Sequence, residues 1–264
     1  MLKRVIVSEL SRIVRSKGVY ISLIIIILSS ALTLERNMIY QNLRIFSPIG
    51  ALNMFIYSSI KNNIGMSILA PLVAILPYSC SMFDDIKTGF IKNVLPYISS
   101  ATYLRAKVIL SFFSGGGIFV IGYSIWLLLM FILFPESSIR MGLGVGQFQC
   151  IYDFSIFLYC LFFMLYSFCC GACYALLATG ISLYVKNKYL AIGLPVVLYY
   201  ASFYIIQLLP HNLTKPLLYI IPFLTFEITT VDAPALQNIA QILFIYILAS
   251  ILIIVGYKRY RKEQ

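Results

Sequence analysis

Charged residues are scarce in this chain, and acidic residues are the scarcest of them. Its 264 residues include nine Asp and Glu, one His and one Trp, and only 11% of the chain is charged. A soluble domain has about 25% charged residues and needs them to hydrate its surface. Because 61% of the residues are hydrophobic, the composition predicts a membrane protein and excludes an ordinary soluble domain.

The groupings of polar residues that carry catalysis are also missing. His211, the one histidine, has no partner for a triad or a metal site. Cys169, Cys170 and Cys173 lack a second pair or a nearby histidine to complete a zinc site, and their spacing suits close helix packing. The Gly-rich stretch 142–146 lacks the Lys-Ser/Thr ending of a phosphate loop. We therefore expect a protein that is not an enzyme, with no catalytic or metal-binding residues and no cofactor of its own.

Long hydrophobic runs are abundant instead. A membrane-spanning helix needs about 20 apolar residues, and six runs approach or exceed this length: 19–34, 64–83, 108–134, 152–180, 190–209 and 238–257. We predict an all-α, polytopic membrane protein with six transmembrane helices in a single domain, 1–264. Three prolines break the apolar stretch 210–232, which predicts a re-entrant or interfacial segment before the last span.

The first residues of the chain are basic and amphipathic. Apolar residues in 2–17 recur at helical spacing, and Lys and Arg occupy the remaining face. This pattern predicts an elbow helix that lies in the membrane interface before the first span. Glu35, Arg36 and Asn37 follow the apolar run in place of a small-residue cleavage site, so we interpret the run as a span and not as a signal peptide.

Lys and Arg are distributed unevenly along the chain. Four segments carry fifteen of the twenty: 1–18, 84–107, 181–189 and 258–264. Cytoplasmic loops carry an excess of Lys and Arg, so these segments are predicted to be cytoplasmic, both termini included. The whole net charge of +11 falls on that side. A basic face suits anionic lipid headgroups, and nucleic acid is not implied.

One cytoplasmic segment, 83–107, is unusually polar for this chain. Two adjacent acids begin it at Asp84, and apolar residues then recur at helical spacing. The pattern predicts one amphipathic helix that ends at Pro96. Ser99 or Ser100 can cap a second helix that continues into the third span. An ordinary connector and a docking element for another protein both fit this pattern.

The order of residues in this segment resembles the cytoplasmic loop of type-2 ABC transporter permeases. The resemblance lies in an acidic start, a basic residue before Gly, a basic residue before an apolar pair, a Pro followed by Ser, and a Tyr-x-x-x-Lys that enters the next span. These elements correspond here to Asp84 and Asp85, 87–89, 92–95, 96–99 and 103–107. Two positions depart from the family pattern: Asp replaces the usual Glu, and Ser100-Ala101 stands where an Arg often follows the Ser. The predicted topology is similar as well.

The resemblance implies that the segment is a coupling helix seated in a groove of a separate ABC ATPase, which would bind ATP and Mg²⁺. The implied coupling residues are Asp84, Asp85, Lys87, Gly89, Phe90, Lys92 and Pro96. It also implies that two permeases, identical or paralogous, pair in the lipid bilayer to form a pathway lined by aromatic residues of the second and fifth spans. The implied lining residues are Tyr78, Tyr199, Tyr200, Phe203 and Tyr204.

From these features we expect the permease subunit of an ATP-driven exporter in the cytoplasmic membrane of a bacterial cell. Tyrosines near the span ends favour an interfacial aromatic belt, but an aromatic surface with few charges also suits an amphiphilic substrate such as a peptide, antibiotic or lipid-like compound. A role in antimicrobial peptide resistance fits equally. The alternative is a stand-alone immunity or scaffold protein of the membrane without an ATPase partner. A secondary carrier is disfavoured because no charge stands in the middle of a predicted span.

Overall fold

In the part that the structure describes, the chain forms helices joined by turns and contains no strand. The computed structural model describes residues 2–41, 50–59, 63–91, 96–134, 148–185, 187–208 and 235–262. In chain order the helices are α1 (Leu2–Val14), α2 (Lys17–Gln41), α3 (Ala51–Ser59), α4 (Ile64–Ile75), α5 (Ser81–Lys87), α6 (Ser100–Leu133), α7 (Gln149–Phe154), α8 (Ile156–Ile181), α9 (Lys188–Leu208) and α10 (Ala235–Lys262). The predicted all-α fold class is confirmed.

Four of the helices are long and apolar enough to cross a membrane. These are Lys17–Arg36 of α2, Ser100–Leu133, Ile156–Ile181 and Ile239–Arg259 of α10. A membrane protein with at least these four candidate spans is therefore supported by helix length and composition. The shorter apolar stretch Lys188–Ala201 of α9 covers part of the predicted span 190–209.

The predicted span 64–83 is divided in the structure. A turn over 76–80 separates α4 from α5. α4 has 12 residues, about 18 Å of helix at 1.5 Å per residue, whereas the hydrocarbon core of a bilayer is about 30 Å thick. Pro77 lies in this turn, where the missing N–H of a proline favours the end of a helix, whereas Pro71 is accommodated inside α4.

Hydrogen bonds between helices show that α2 and α4 run antiparallel. Ser22 Oγ donates to the carbonyl of Val73 at 3.0 Å. The Thr33 hydroxyl shares its proton between the carbonyl of Ser29 at 2.8 Å and Asn63 Oδ1 at 3.3 Å. α6 and α8 are antiparallel too, with the hydroxyls of Ser111 and Thr179 2.6 Å apart. Each bond lets two polar groups satisfy one another away from water, which is the requirement for placing them inside a membrane bundle.

The long helices α9 and α10 continue this antiparallel order along the chain. α9 contacts α4 through Tyr200, whose hydroxyl donates to the carbonyl of Ile68 at 2.5 Å. α10 runs parallel to α8, because Tyr184 after α8 donates to the carbonyl of Leu252 at 3.0 Å while the Cys173 thiol donates to that of Ile242 at 3.5 Å. The end of α10 therefore lies at the same end of the bundle as the start of α6. We call this end, which collects α1, α5 and the 181–189 connection, the basic end.

Small residues allow the close approach of α6 and α8. A Cβ atom at Gly115 would overlap Ala175 of α8, and one at Gly171 would overlap the ring of Phe119 of α6. Around this contact the core is aromatic, with Tyr123 meeting Phe163 at a ring-centroid distance of 5.1 Å. Helix association in membranes depends on such close packing, because lipid tails are as apolar as the side chains and the hydrophobic effect does not drive helices together.

Local signals explain where α6 and α8 begin. The Ser99 side chain accepts a hydrogen bond from the backbone N–H of Thr102 at 3.3 Å, which confirms the predicted serine cap of α6. Ser155 has extended backbone angles and accepts from the N–H of Leu158 at 3.4 Å. It separates α7 from α8, so the predicted span 152–180 is not one uninterrupted helix.

The prediction of one continuous helix from Asp84 to Pro96 is wrong. α5 ends at Lys87, and Gly89 adopts a φ of +71°. A glycine in this left-handed conformation is a common way to end a helix, since it lets the last carbonyls find N–H donors; here the N–H of Gly89 donates to the carbonyl of Ile86 at 3.2 Å. Residues 92–95 and the predicted re-entrant segment 210–232 lie outside the described residues.

The substitution Gly115→Val tests the α6–α8 contact. We expect it to destabilise the protein by about 1 to 3 kcal/mol, the usual cost of overpacking, because the new side chain would overlap Ala175. Gly117→Val is the matched control, since a Cβ at Gly117 meets no atom within 4 Å. Thermal unfolding of the detergent-solubilised proteins measures the difference, and equal melting temperatures for the two variants would refute the proposed contact.

Candidate functional site

Four charged side chains from three helices meet at the basic end of the bundle. Glu9 and Arg12 come from α1, Asp85 from α5 and Lys107 from α6. Their formal charges sum to zero. Glu9 is 6% exposed, while Asp85 and Lys107 are each 1% exposed. We call these four residues the ion cluster.

Lys107 is the centre of the cluster. Its Nζ lies 2.5 Å from Asp85 Oδ2 and 3.1 Å from Glu9 Oε2. Removing an ammonium group from water costs several kcal/mol, and only close and well-oriented partners offset that cost. Lys107 meets this condition with two carboxylates, one from each of the helices that pack against the start of α6.

Arg12 closes the cluster on its outer side. Its Nη1 lies 2.7 Å from Asp85 Oδ1 and 3.7 Å from Glu9 Oε2. The Arg12 side chain is 45% exposed, so this guanidinium stands between the buried acids and the surface. The two oxygens of Asp85 are thus held by different cations, one from α1 and one from α6.

Two tyrosines complete the surroundings of the acids. Tyr78, in the turn after α4, donates from its hydroxyl to Glu9 Oε2 at 2.7 Å. Tyr103 of α6 donates to Asp85 Oδ2 at 2.5 Å. Lys107 Nζ lies 5.0 Å from the ring centroid of Tyr78 and 5.5 Å from that of Tyr103, within the range of cation–π attraction.

The cluster holds Asp85 in the charged form. Burial alone would raise the pKa of Asp85, but the charge of Lys107 and hydrogen bonds from Lys107, Tyr103 and Arg12 outweigh burial and lower that pKa. Burial raises the pKa of Tyr78, and the negative charge of Glu9 raises it further. Asp85 is therefore an ionised acceptor and Tyr78 a neutral donor, as the hydrogen bonds require.

Helical spacing positions these side chains. Tyr103 and Lys107 are four residues apart and share one face of α6. Glu9 follows Ile6 by three residues and precedes Ile13 by four, so it lies on the apolar face of α1 and points into the protein. Sequence reasoning missed Glu9 and Arg12 as site residues. The signal was present, since Glu9 is the only acid in the first 34 residues and occupies an apolar stripe.

The predicted coupling residues divide into an inward and an outward set. Asp85 points into the ion cluster. Asp84 lies near the surface, where its Oδ2 is 2.7 Å from Lys188 Nζ at the start of α9. Lys87, Phe90 and Pro96 are exposed, whereas Lys92 is outside the described residues. We call residues 86–99 the outer loop. Its first two residues are the end of α5, and the structure describes 86–91 and 96–99.

The predicted lining tyrosines do not all lie together. Tyr199 is buried on α9, with its ring centroid 5.9 Å from that of Tyr174 and 5.6 Å from that of Tyr200. Tyr78 lies instead beside Glu9 in the wall of the ion cluster. The side chains of Phe203 and Tyr204 are outside the described residues. The lining role stays a prediction, with Tyr199 and Tyr200 placed between α4, α8 and α9.

The cysteines of α8 serve the helix interfaces that their spacing suggests. Cys170 and Cys173 are buried, and Cys173 donates to α10 as described above. Among the described residues, no group of three or more His, Cys, Asp or Glu side chains is arranged to hold a metal ion.

Comparison with known proteins assigns no family. No protein-family model matches the chain, and no curated protein matches it. The function must therefore be inferred from the ion cluster and the surface around it.

Removal of the central cation is the first test of the cluster. We expect Lys107→Met to destabilise the protein by about 3 to 5 kcal/mol, because it leaves two buried carboxylates without their shared partner. Lys87→Met is the matched control, since Lys87 is exposed on α5. Thermal or denaturant unfolding in detergent measures both.

A second substitution separates lost charge pairing from lost packing. Adding Glu9→Gln to Lys107→Met removes one unpaired charge and should recover part of the lost stability. If Lys107→Met is as stable as Lys87→Met, or if the double variant is no more stable than Lys107→Met, the cluster does not hold the helices as described.

Acidification is the third test. Because the folded pKa of Asp85 is lowered, its contribution is complete above the ordinary aspartate pKa of about 4 and is lost as the pH falls through the lowered folded value. We expect the melting temperature to fall more steeply with acid in the native chain than in Asp85→Asn, which should be the less stable protein at neutral pH. Parallel pH profiles would contradict the assignment.

Proposed function

We propose that the chain is the membrane subunit of an ATP-driven exporter. It would act with a separate ABC ATPase, which binds ATP and Mg²⁺, and with a second permease, either a copy or a paralogue. The proposed location is the cytoplasmic membrane of a bacterial cell, with both termini and the basic end inside. The proposal joins the resemblance of 83–107 to type-2 ABC permeases with the construction of the basic end.

The outer loop supports a docking role through its exposed aromatic side chains. Tyr97 is 78% exposed and Phe90 43% exposed, and neither contributes to the ion cluster that anchors the neighbouring helices. Aromatic residues are enriched where protein partners bind, because each buries a large area with few rotatable bonds. The proposal rests on this observation: exposed aromatic side chains lie next to the buried ion cluster.

The ion cluster offers a route for motion from the outer loop to the bundle. Asp85 is on α5, directly before the loop, and it contacts Lys107 of α6 and Arg12 of α1. A partner that displaced the loop would therefore move both helices, since breaking a buried ion pair is costly. Lys188 would be moved as well through Asp84, which connects α5 to α9.

The substrate class follows from the α9 tyrosines. Tyr199 is buried and Tyr200 is partly buried; if the pathway opens here, it would offer aromatic ring surface in a region of the described chain without charged residues. Such a surface suits an amphiphile, in which a large apolar part accompanies polar groups. A peptide, an antibiotic or a lipid-like compound meets this description, and resistance to membrane-active peptides would be the physiological use.

The stand-alone alternative also has an observation in its favour. The ion cluster satisfies Asp85 within the chain, and Lys188 satisfies Asp84, so these acids need no partner protein. A membrane immunity or scaffold protein could use the same cluster only to fix α1 and α5 against α6. The two possibilities differ in whether the outer loop binds an ATPase.

The double substitution Phe90→Ala and Tyr97→Ala tests the docking role. We expect it to lower copurification of a coexpressed ABC ATPase, and substrate-stimulated ATP hydrolysis, by about tenfold or more, as loss of an aromatic hot spot does. Phe154→Ala is the matched control, because Phe154 is 79% exposed and lies on α7 at the opposite end of the bundle. Unchanged copurification and hydrolysis in the double variant would favour the stand-alone protein.

A further inference from the structure

A groove between α2 and α4 opens on the outside of the bundle. Its volume is about 250 Å³. Its walls are mostly aliphatic, and one arginine stands at one end. The lining residues are Ile25, Leu28, Ser29, Leu32, Thr33, Arg36, Gly65 and Leu69.

The position of the groove along α2 matches one leaflet of a bilayer. The candidate span Lys17–Arg36 has 20 residues, about 30 Å at 1.5 Å per residue, which equals the thickness of the hydrocarbon core. Arg36 therefore lies where the hydrocarbon ends, on the side opposite Lys17. From Ile25 to Arg36 the groove extends about 16 Å, or roughly half of that thickness.

The groove is open to the surroundings of the bundle. Leu28 is 56% exposed and Leu32 57% exposed, so a molecule in the same leaflet reaches the groove sideways without any rearrangement. Tyr199 and Tyr200 lie on α9 against α4 and α8, whereas the groove faces α2. The groove thus lies apart from Tyr199 and Tyr200, the described tyrosines of α9 that are predicted to line the pathway.

The hydroxyls in the groove are already engaged within the protein. Ser29 Oγ donates to the carbonyl of Ile26 at 3.0 Å, and Thr33 Oγ1 donates to that of Ser29 at 2.8 Å. A ligand in the groove therefore meets aliphatic surface along its length. Gly65 brings α4 close to this wall, because a Cβ there would lie 3.0 Å from Ser29 Cβ.

Arg36 is the charged group at the end of the groove. Its side chain is exposed, and no carboxylate of the described residues forms a salt bridge with it. Glu35 is adjacent in sequence and so points about 100° away around the helix. A guanidinium presents several N–H donors that match the oxygens of a phosphate.

We propose that this groove binds one acyl chain of an anionic phospholipid, whose phosphate pairs with Arg36. The length of the groove, its aliphatic walls and its lateral opening match an acyl chain of a single leaflet. The position of Arg36 at the edge of the hydrocarbon matches a headgroup. This lipid site is independent of the proposed export function.

Photo-crosslinking of lipid to the full-length protein tests the site. The protein is reconstituted in phosphatidylcholine vesicles doped with phosphatidylglycerol that carries a diazirine on its acyl chain, and the labelled peptides are identified by mass spectrometry. We expect label on the peptides that contain Leu28, Leu32 and Leu69, at a higher yield than with the matching phosphatidylcholine probe. Peptides from the exposed face of α10, such as that of Ile247, should not distinguish the two probes.

Charge variants assign the headgroup contact. Arg36→Gln should lower groove labelling by phosphatidylglycerol about fivefold, the factor expected from one arginine at a lipid surface, and Arg36→Lys should retain most of it. Lys17→Gln is the matched control, since it removes a cation from the other end of the same helix. Leu32→Trp, which fills the groove, should reduce labelling by both probes.

Two results would overturn the proposal. The first is equal groove labelling by the phosphatidylglycerol and phosphatidylcholine probes, which would make the groove part of the ordinary lipid-facing surface. The second is an Arg36→Gln protein that labels like Lys17→Gln. Both variants change exposed side chains, so a melting temperature equal to that of the native protein verifies that folding is not the cause of any difference.

Discussion

The charge of Lys107, held away from water at the start of the longest helix, is the constraint on which the basic end depends. An ammonium group in this position needs partners at hydrogen-bond distance, and the chain supplies Asp85 and Glu9 from two other helices. The same two acids accept further hydrogen bonds: Arg12 donates to the other oxygen of Asp85, while Tyr78 and Tyr103 donate to the oxygens of Glu9 and Asp85 that Lys107 also contacts. Satisfying one cation therefore determines where α1, α5 and the turn after α4 can lie. The apolar packing of α6 against α8 would leave all three of these elements free to move.

A second constraint acts within the bundle, where helices must approach closely without help from water. Polar contacts such as Ser22 with Val73 bring the short helix α4 against α2, and Tyr200 brings α9 against its other side. α4 is too short to cross a bilayer by itself, and it is stabilised by neighbours on both sides. One consequence is the groove beside Gly65, because a short helix packed against a long one leaves part of the long helix uncovered.

The sequence predicts the long helices well because their signals are local. Apolar runs mark α6, α8 and α10, and the serine cap of α6 is visible from the polar residues around Ser99. The sequence did not predict the break between α4 and α5, because residues 76–80 are as apolar as a span. Pro77 is the main residue there that indicates the end of a helix. The ion cluster was missed for a different reason. Glu9 and Lys107 are 98 residues apart, and no periodicity within either helix indicates that the two would meet, although the place of Glu9 on an apolar stripe shows that it needed a partner.

That long separation has a consequence for how the protein is made. Ribosomes add about 5 to 20 residues per second, so Lys107 is synthesised roughly 5 to 20 seconds after Glu9. During this interval Glu9 and Arg12 have each other but lack the partners that later enclose them. α1 therefore cannot complete its contacts in the ion cluster until α6 has been delivered to the membrane. Assembly at this end thus runs against the order of synthesis, because α1 is made before α6 but is held in place only after it.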